Sequence, residues 1–253
     1  MHIREDVSSH GVRERIGTYR APSGDVPLVV WTPDGRPPRA VVAVGHGASG
    51  HKRMSYVLSL ARELVREFDC AVFAIDGPIH GERRSDGLLD DTLVMLEFAQ
   101  YWQDHSDLLD VTEGEWRAAL DCVQLLEDVG SEIPVAYWGL SMGGLLGIGF
   151  VAREPRIRAS VLGLIGTTER FRTDAAAISV PVLFLVQWHD ELFSRESSLE
   201  LFDSFTVTDR TLLASPGTHG AVPEESILHS MEFLSRRLLN SKEFLSARLL
   251  PST

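Results

Sequence analysis

Three side chains, far apart in the chain, together have the chemistry to activate an oxygen nucleophile. Gly139-Leu140-Ser141-Met142-Gly143, followed by Gly144, has the G-x-S-x-G spacing. Small residues beside the serine permit a sharp strand-to-helix turn, which exposes its hydroxyl and aims a helix N-terminus at the group it attacks. A serine hydroxyl is a weak nucleophile at neutral pH and needs a base. Downstream of Ser141 the histidines are His189, His219 and His229. His219, in Pro216-Gly217-Thr218-His219-Gly220, falls in the loop before the last helix, where a base belongs; His229 falls inside that helix. The acid that orients the imidazole should follow the strand Pro181–Val186. Asp190 does, in Gln187-Trp188-His189-Asp190-Glu191, with Glu191 as its neighbour and competitor. Glu169 and Asp174 come too early, before that strand. The expected catalytic set is Ser141, Asp190 and His219, in the order serine, acid, histidine.

Attack on a carbonyl creates an oxyanion that needs preorganised N–H donors. One donor is expected from Met142. The other is expected from Gly45-His46-Gly47-Ala48-Ser49-Gly50, with Ala48 first and Gly47 second, and His46 holding that loop by hydrogen bonds. A metal at His46 and His51 is not expected, because there is no HExxH and no carboxylate at ligand spacing. The same loop fails as a nucleotide-binding P-loop: His51 follows Gly50 where lysine is required, and no Ser or Thr follows Lys52.

These residues must be positioned by alternating strands and helices. Short apolar runs read as strands at Pro27–Trp31, Ala40–Val44, Ala71–Ile75, Pro134–Trp138, Ser160–Leu164, Pro181–Val186 and Arg210–Ala214. Helical spacing recurs in Val57, Leu60, Ala61, Leu64 and Phe68, in Trp116–Val129, in Leu145–Val151, and in a last helix from about Pro223 with Ile227, Met231, Leu234 and Leu238 on one stripe. The expectation is an α/β fold: a mostly parallel, eight-stranded sheet with helices on both faces. Residues 81–111 exceed a usual connection. Asp90, Asp91 and Thr92 there are suited to cap a helix carrying Met95, Phe98, Ala99 and Trp102, which either packs on the domain or covers a pocket as a small cap.

Composition bounds the rest. The chain has 253 residues, 44% hydrophobic, with a net charge of −12, which disfavours a nucleic-acid backbone or an anionic membrane as partner. Its apolar runs are too short to span a bilayer and its N-terminus has no signal-peptide core. Two cysteines, Cys70 and Cys122, make no framework. A single cytoplasmic domain over 1–253 is expected. In the tail, Phe244, Leu245, Leu249 and Leu250 either meet a partner subunit, making a homodimer, or pack on their own domain.

Three segments, Gly45-His46-Gly47, Asp76-Gly77-Pro78-Ile79-His80-Gly81-Glu82-Arg83 and Gly139-Leu140-Ser141-Met142-Gly143-Gly144, resemble the α/β-hydrolase superfamily, in its dienelactone-hydrolase and prolyl-oligopeptidase-like branch of small serine esterases. The resemblance runs from about Pro27 to Leu239. It implies a Ser–Asp–His triad on Ser141, Asp190 and His219, an oxyanion hole, no cofactor, and cleavage of a small or medium carboxylic ester through an acyl-enzyme. Dienelactone hydrolases carry a cysteine nucleophile where this chain has Ser141. The small-molecule acyl substrate is expected to meet His80, Arg83, Arg84, Trp188, His189 and Ile165 at the carboxyl ends of the strands; an arginine there can also be tying its own loop. The same triad also serves C–C bond hydrolases, thioesterases, small peptidases and acyltransferases, and a non-catalytic binding module is the remaining alternative.

Overall fold

The computed structural model describes residues 1–84, 86 and 91–239. The expected apolar tail, Phe244, Leu245, Leu249 and Leu250, and the expected capping by Asp90 and the side chain of Asp91 lie outside the described residues. Among the described residues nine strands form one sheet, in the order β1-β2-β3-β5-β4-β6-β7-β8-β9. They are β1 (His2–Ser9), β2 (Val12–Ala21), β3 (Gly24–Pro33), β4 (Ala40–Gly45), β5 (Cys70–Ile75), β6 (Val135–Leu140), β7 (Ile157–Gly163), β8 (Val182–Gln187) and β9 (Arg210–Ser215). From β5 to β9 every neighbouring pair is parallel; β1, β2 and β3 are joined to each other and to β5 antiparallel.

The sheet therefore has one strand more than the eight expected. The N-terminal hairpin of β1 and β2 was hidden by its charges, several of which are paired. Arg15, nearly buried, donates to both carboxylate oxygens of Asp128 (2.8 Å each) and to Thr32. Arg13 makes a two-bonded contact with Asp6.

Alternation along the central strands sends side chains to two cores. Val41 and Ala43 join the cluster under α3 (Leu108–Gln124), α4 (Met142–Arg153), α5 (Glu169–Ala177) and α6 (Arg195–Ser204). Val42 and Val44 join the opposite cluster, under α1 (Ser55–Phe68) and α7 (Glu224–Leu238). On α1 the buried stripe is Val57, Leu60, Ala61, Leu64, Val65 and Phe68, recurring three and four apart as an amphipathic helix requires. The remaining helix, α2 (Asp91–Asp104), follows a 3-10 turn at Gly81–Arg83. It both packs and covers: Val94 and Phe98 are buried, while Met95 borders the cavity described below. Among the described residues no helix is long and apolar enough to cross a membrane. Cys70 and Cys122 are free thiols, and burial pushes that of Cys70 up to about 12.

Candidate active site

Loops leaving the carboxyl ends of β4, β6, β8 and β9 meet at one end of the sheet, the usual place for a ligand in an α/β fold. Ser141 stands between β6 and α4 with φ 55 and ψ −127, a conformation costing a non-glycine residue about 1–3 kcal/mol. The turn is held by Ser141 N–H donating to Gly163 O (3.0 Å) and Leu145 N–H donating to Ser141 O (2.9 Å). Its glycines are steric necessities: a Cβ at 139 would sit 2.6 Å from Gly143 O, and one at 143 would sit 2.4 Å from Gly45 O.

His219 Nε2 lies 2.8 Å from Ser141 Oγ, and His219 Nδ1 lies 2.8 Å from Asp190 Oδ2. The other carboxylate oxygen of Asp190 accepts from Leu192 N–H (2.8 Å) and Phe193 N–H (3.0 Å), which fixes its rotation. Glu191, the competing acid, accepts the backbone N–H of His219 at 2.8 Å instead of facing the ring. The main chain of Trp188 and His189 donates to Ser215 O (2.8 Å) and Gly217 O (2.9 Å), and so carries Asp190 to the side of His219. A carboxylate at Nδ1 keeps the proton there and leaves Nε2 free to accept one from the serine.

The loop after β4 is fixed by two buried histidines. Gly77 N–H donates to His46 Nε2 (2.9 Å), so the ring proton is on Nδ1, which donates to Gly47 O (2.8 Å). All peptide bonds among the described residues are trans, so the next N–H, that of Ala48, points away from His46. Gly47 N–H is already donated to Tyr56 Oη (2.7 Å). Ala48 and Ser141 border the same cavity, and Met142 opens helix α4, whose N-terminal amides favour an anion. Burial, and then His80 beside it, lowers the pKa of His46 to about 4, consistent with a neutral ring accepting an N–H.

Beneath this loop lies a buried ionic hub. Asp76, fully buried, accepts from Lys52 N–H (2.9 Å), Lys52 Nζ (2.6 Å) and Glu82 N–H (2.9 Å). Gly81 has φ 51, and a Cβ there would meet Asp76 Oδ1 at 2.4 Å, so only glycine lets the chain wrap the carboxylate this closely. Lys52, one residue past the position a phosphate loop would require, is an internal strut.

The cavity beside Ser141 and His219 measures about 380 Å³ and is walled by Tyr56, Met54, Leu60, Met95, Trp138 and Leu164 among others. None of the expected substrate-binding residues borders it. His80 is fully buried, with Nδ1 2.6 Å from Pro78 O and Nε2 2.9 Å from Ala48 O; it braces the loop from below. Arg83 is committed to a two-bonded pair with buried Glu115 (2.8 and 3.0 Å), and Arg84 to Asp86 and Glu97. Trp188 is 39% exposed and lies under the Arg195 guanidinium, and His189 is exposed; only their backbones serve the site. Ile165 is core. The cavity walls were missed because they come from α1, β6 and α7 as ordinary apolar helix and strand residues; only Met95 stood on a stripe already marked as a possible cover. Among the described residues no group of three or more His, Cys, Asp or Glu side chains is placed to hold a metal.

No family model matches the sequence, and no curated protein matches it. Solved structures do. A cold-adapted esterase from an Arctic intertidal metagenomic library, in a polyethylene-glycol-bound complex, is 33% identical over 93% of this chain and 98% of its own, with a TM-score of 0.82. An esterase of Pyrococcus furiosus, at 15% identity over 89% of this chain and 93% of its own, has a TM-score of 0.67. A dienelactone hydrolase from Anabaena variabilis, at 14% identity over 90% of this chain and 97% of its own, has a TM-score of 0.62. The last two speak for the fold alone.

Proposed function

The chain belongs to the α/β-hydrolase superfamily, among its dienelactone-hydrolase-like small esterases, and is a carboxylic ester hydrolase; from that premise we propose that Ser141 is its nucleophile, His219 its base and Asp190 the acid that orients the base. The reading rests on one observation, the unbroken relay of two 2.8 Å contacts from Ser141 Oγ through His219 to Asp190 Oδ2. His219 Nε2 takes the hydroxyl proton as Oγ attacks the ester carbonyl. The tetrahedral oxyanion is received by the N–H groups of Met142 and Ala48, two donors fixed before substrate arrives. Collapse expels the alcohol, protonated by His219, and leaves an acyl-enzyme on Ser141. Water, activated by the same imidazole, then releases the acid. Acid pH stops the cycle, because a protonated imidazole cannot accept the serine proton.

We further propose a single domain over 1–253 that acts on a small-molecule ester in the cytoplasm, without nucleic-acid or membrane partner. Two free thiols and a net charge of −12 support this. Hydrolysis of p-nitrophenyl butyrate by the wild type and by Ser141→Ala tests the mechanism. The wild type should turn over with a pre-steady-state burst of nitrophenol and the variant should not; equal turnover by both would remove Ser141 from the chemistry.

A further inference from the structure

Resting on the ester-hydrolase reading above, we infer that the acyl group is an uncharged chain of roughly four to eight carbons, received in the deep end of the cavity between α1 and α7, with Leu60, Trp138 and Ile227 setting its length. The cavity does not stop at the reactive pair. Leu60 and Trp138, which border it, are almost wholly buried members of the core cluster on the α1 and α7 face, whereas Ile227 and Val222 are partly buried against that cluster. The space therefore runs from Ser141 into this core.

Its floor is firm and apolar. Trp138 Nε1 donates to Ser230 Oγ (2.9 Å), and Ser230 Oγ donates to Ile227 O (2.6 Å). The polar edge of the indole is thus consumed by α7, leaving hydrocarbon surface to the chamber. At 380 Å³ the chamber has room for about a dozen groups the size of a water, at ~30 Å³ each, which suits an ester head and a short chain.

Charge selects further. The ionisable side chains among the described residues bordering the cavity are Tyr56 and His219. Burial pushes the Tyr56 phenol up to about 12, so it is neutral. Lys52 and Arg83 are paired inside the protein with Asp76, Glu82 and Glu115. A carboxylate on the acyl arm would be desolvated there without a partner.

The test is kcat/KM of the full-length protein on p-nitrophenyl acetate, butyrate, hexanoate, octanoate and laurate, and on the p-nitrophenyl monoester of glutaric acid. The wild type should gain about tenfold for each two carbons until the chamber is full, at hexanoate or octanoate, and then lose rate at laurate. The glutarate monoester should be slower than the hexanoate by about a hundredfold. Ile227→Phe should lower the octanoate-to-acetate ratio by about tenfold or more, and Ile227→Ala should move the optimum to longer chains. Ser141-dependent acetate turnover with an unchanged profile in both variants, or with the glutarate monoester as good as the hexanoate, overturns the chamber but not the esterase reading. Absence of any ester turnover by the folded wild type overturns both.

Discussion

The two sides of the proposed reaction centre, one offering the oxyanion donors and the other the acid and base, are built differently. The oxyanion side is packed into the protein: His46 and Lys52 are 2% exposed, Asp76 and His80 not at all. Their hydrogen bonds cross from one segment to the other, so the loop after β4 is tied to the loop after β5 from inside. The acid and base side stands on surface segments. Glu191 and Gly220 are exposed and β9 is half exposed, and the side chains of Asp190 and His219, 3% and 12% exposed, are held just beneath the surface. A donor that must meet a developing charge without rearranging gains from rigid burial. A base that must face first the serine and then the leaving group needs only a few oriented bonds.

That contrast breaks most visibly on the exposed side. His219→Ala and Asp190→Asn should each lower kcat by about 10⁴-fold, while thermal melting moves by only about 2–4 °C. A large drop in melting temperature in either would mean that this side also carries the fold. On the buried side the order should reverse. Asp76→Ala removes the acceptor of Lys52 and of two backbone N–H groups, and should cost about 3–5 kcal/mol in urea unfolding; a loss under about 1 kcal/mol would show that the hub is dispensable.

His46 links the buried side to pH. Its folded pKa is about 4, against about 6.5 in an unfolded chain. Between those values the unfolded state holds a proton that the folded state refuses, so stability falls as pH falls through this window. The loss approaches about 3 kcal/mol at pH 4. Urea midpoints from pH 7 to 4 should show this slope in the wild type and a shallower one in His46→Asn. The smallest effect is expected at Glu191, which holds the His219 backbone from an exposed position. Glu191→Gln should slow kcat by about two- to tenfold, with KM little changed.

What could be read from the chain alone divides along physical lines. The elbow at Ser141 was legible because close backbone approach at Gly139 and Gly143 leaves a local pattern. The placement of Asp190 and His219 in line with Ser141 was legible from chain order and loop position. Helices α5 and α6 were not legible by periodicity, since their apolar stripes are thin: Phe171 and Ala175 are the buried hydrophobics of one, and Leu201 of the other. Their caps carried the signal, with Thr168 accepting from Phe171 N–H (3.1 Å) and Ser194 from Ser197 N–H (3.2 Å). His80 and Arg83 looked like substrate ligands because polar residues beside a site invite that reading. Their actual partners, Ala48 O and Glu115, are each 32 residues away, beyond any local pattern.

The central claim is that Ser141 is an activated nucleophile, and the most direct test is stoichiometric reaction with a fluorophosphonate, read by intact mass and peptide mapping. The account predicts one adduct per chain, on Ser141, abolished in Ser141→Ala and strongly slowed in His219→Ala. A folded wild-type protein that takes no adduct, or takes it at another residue, would contradict it.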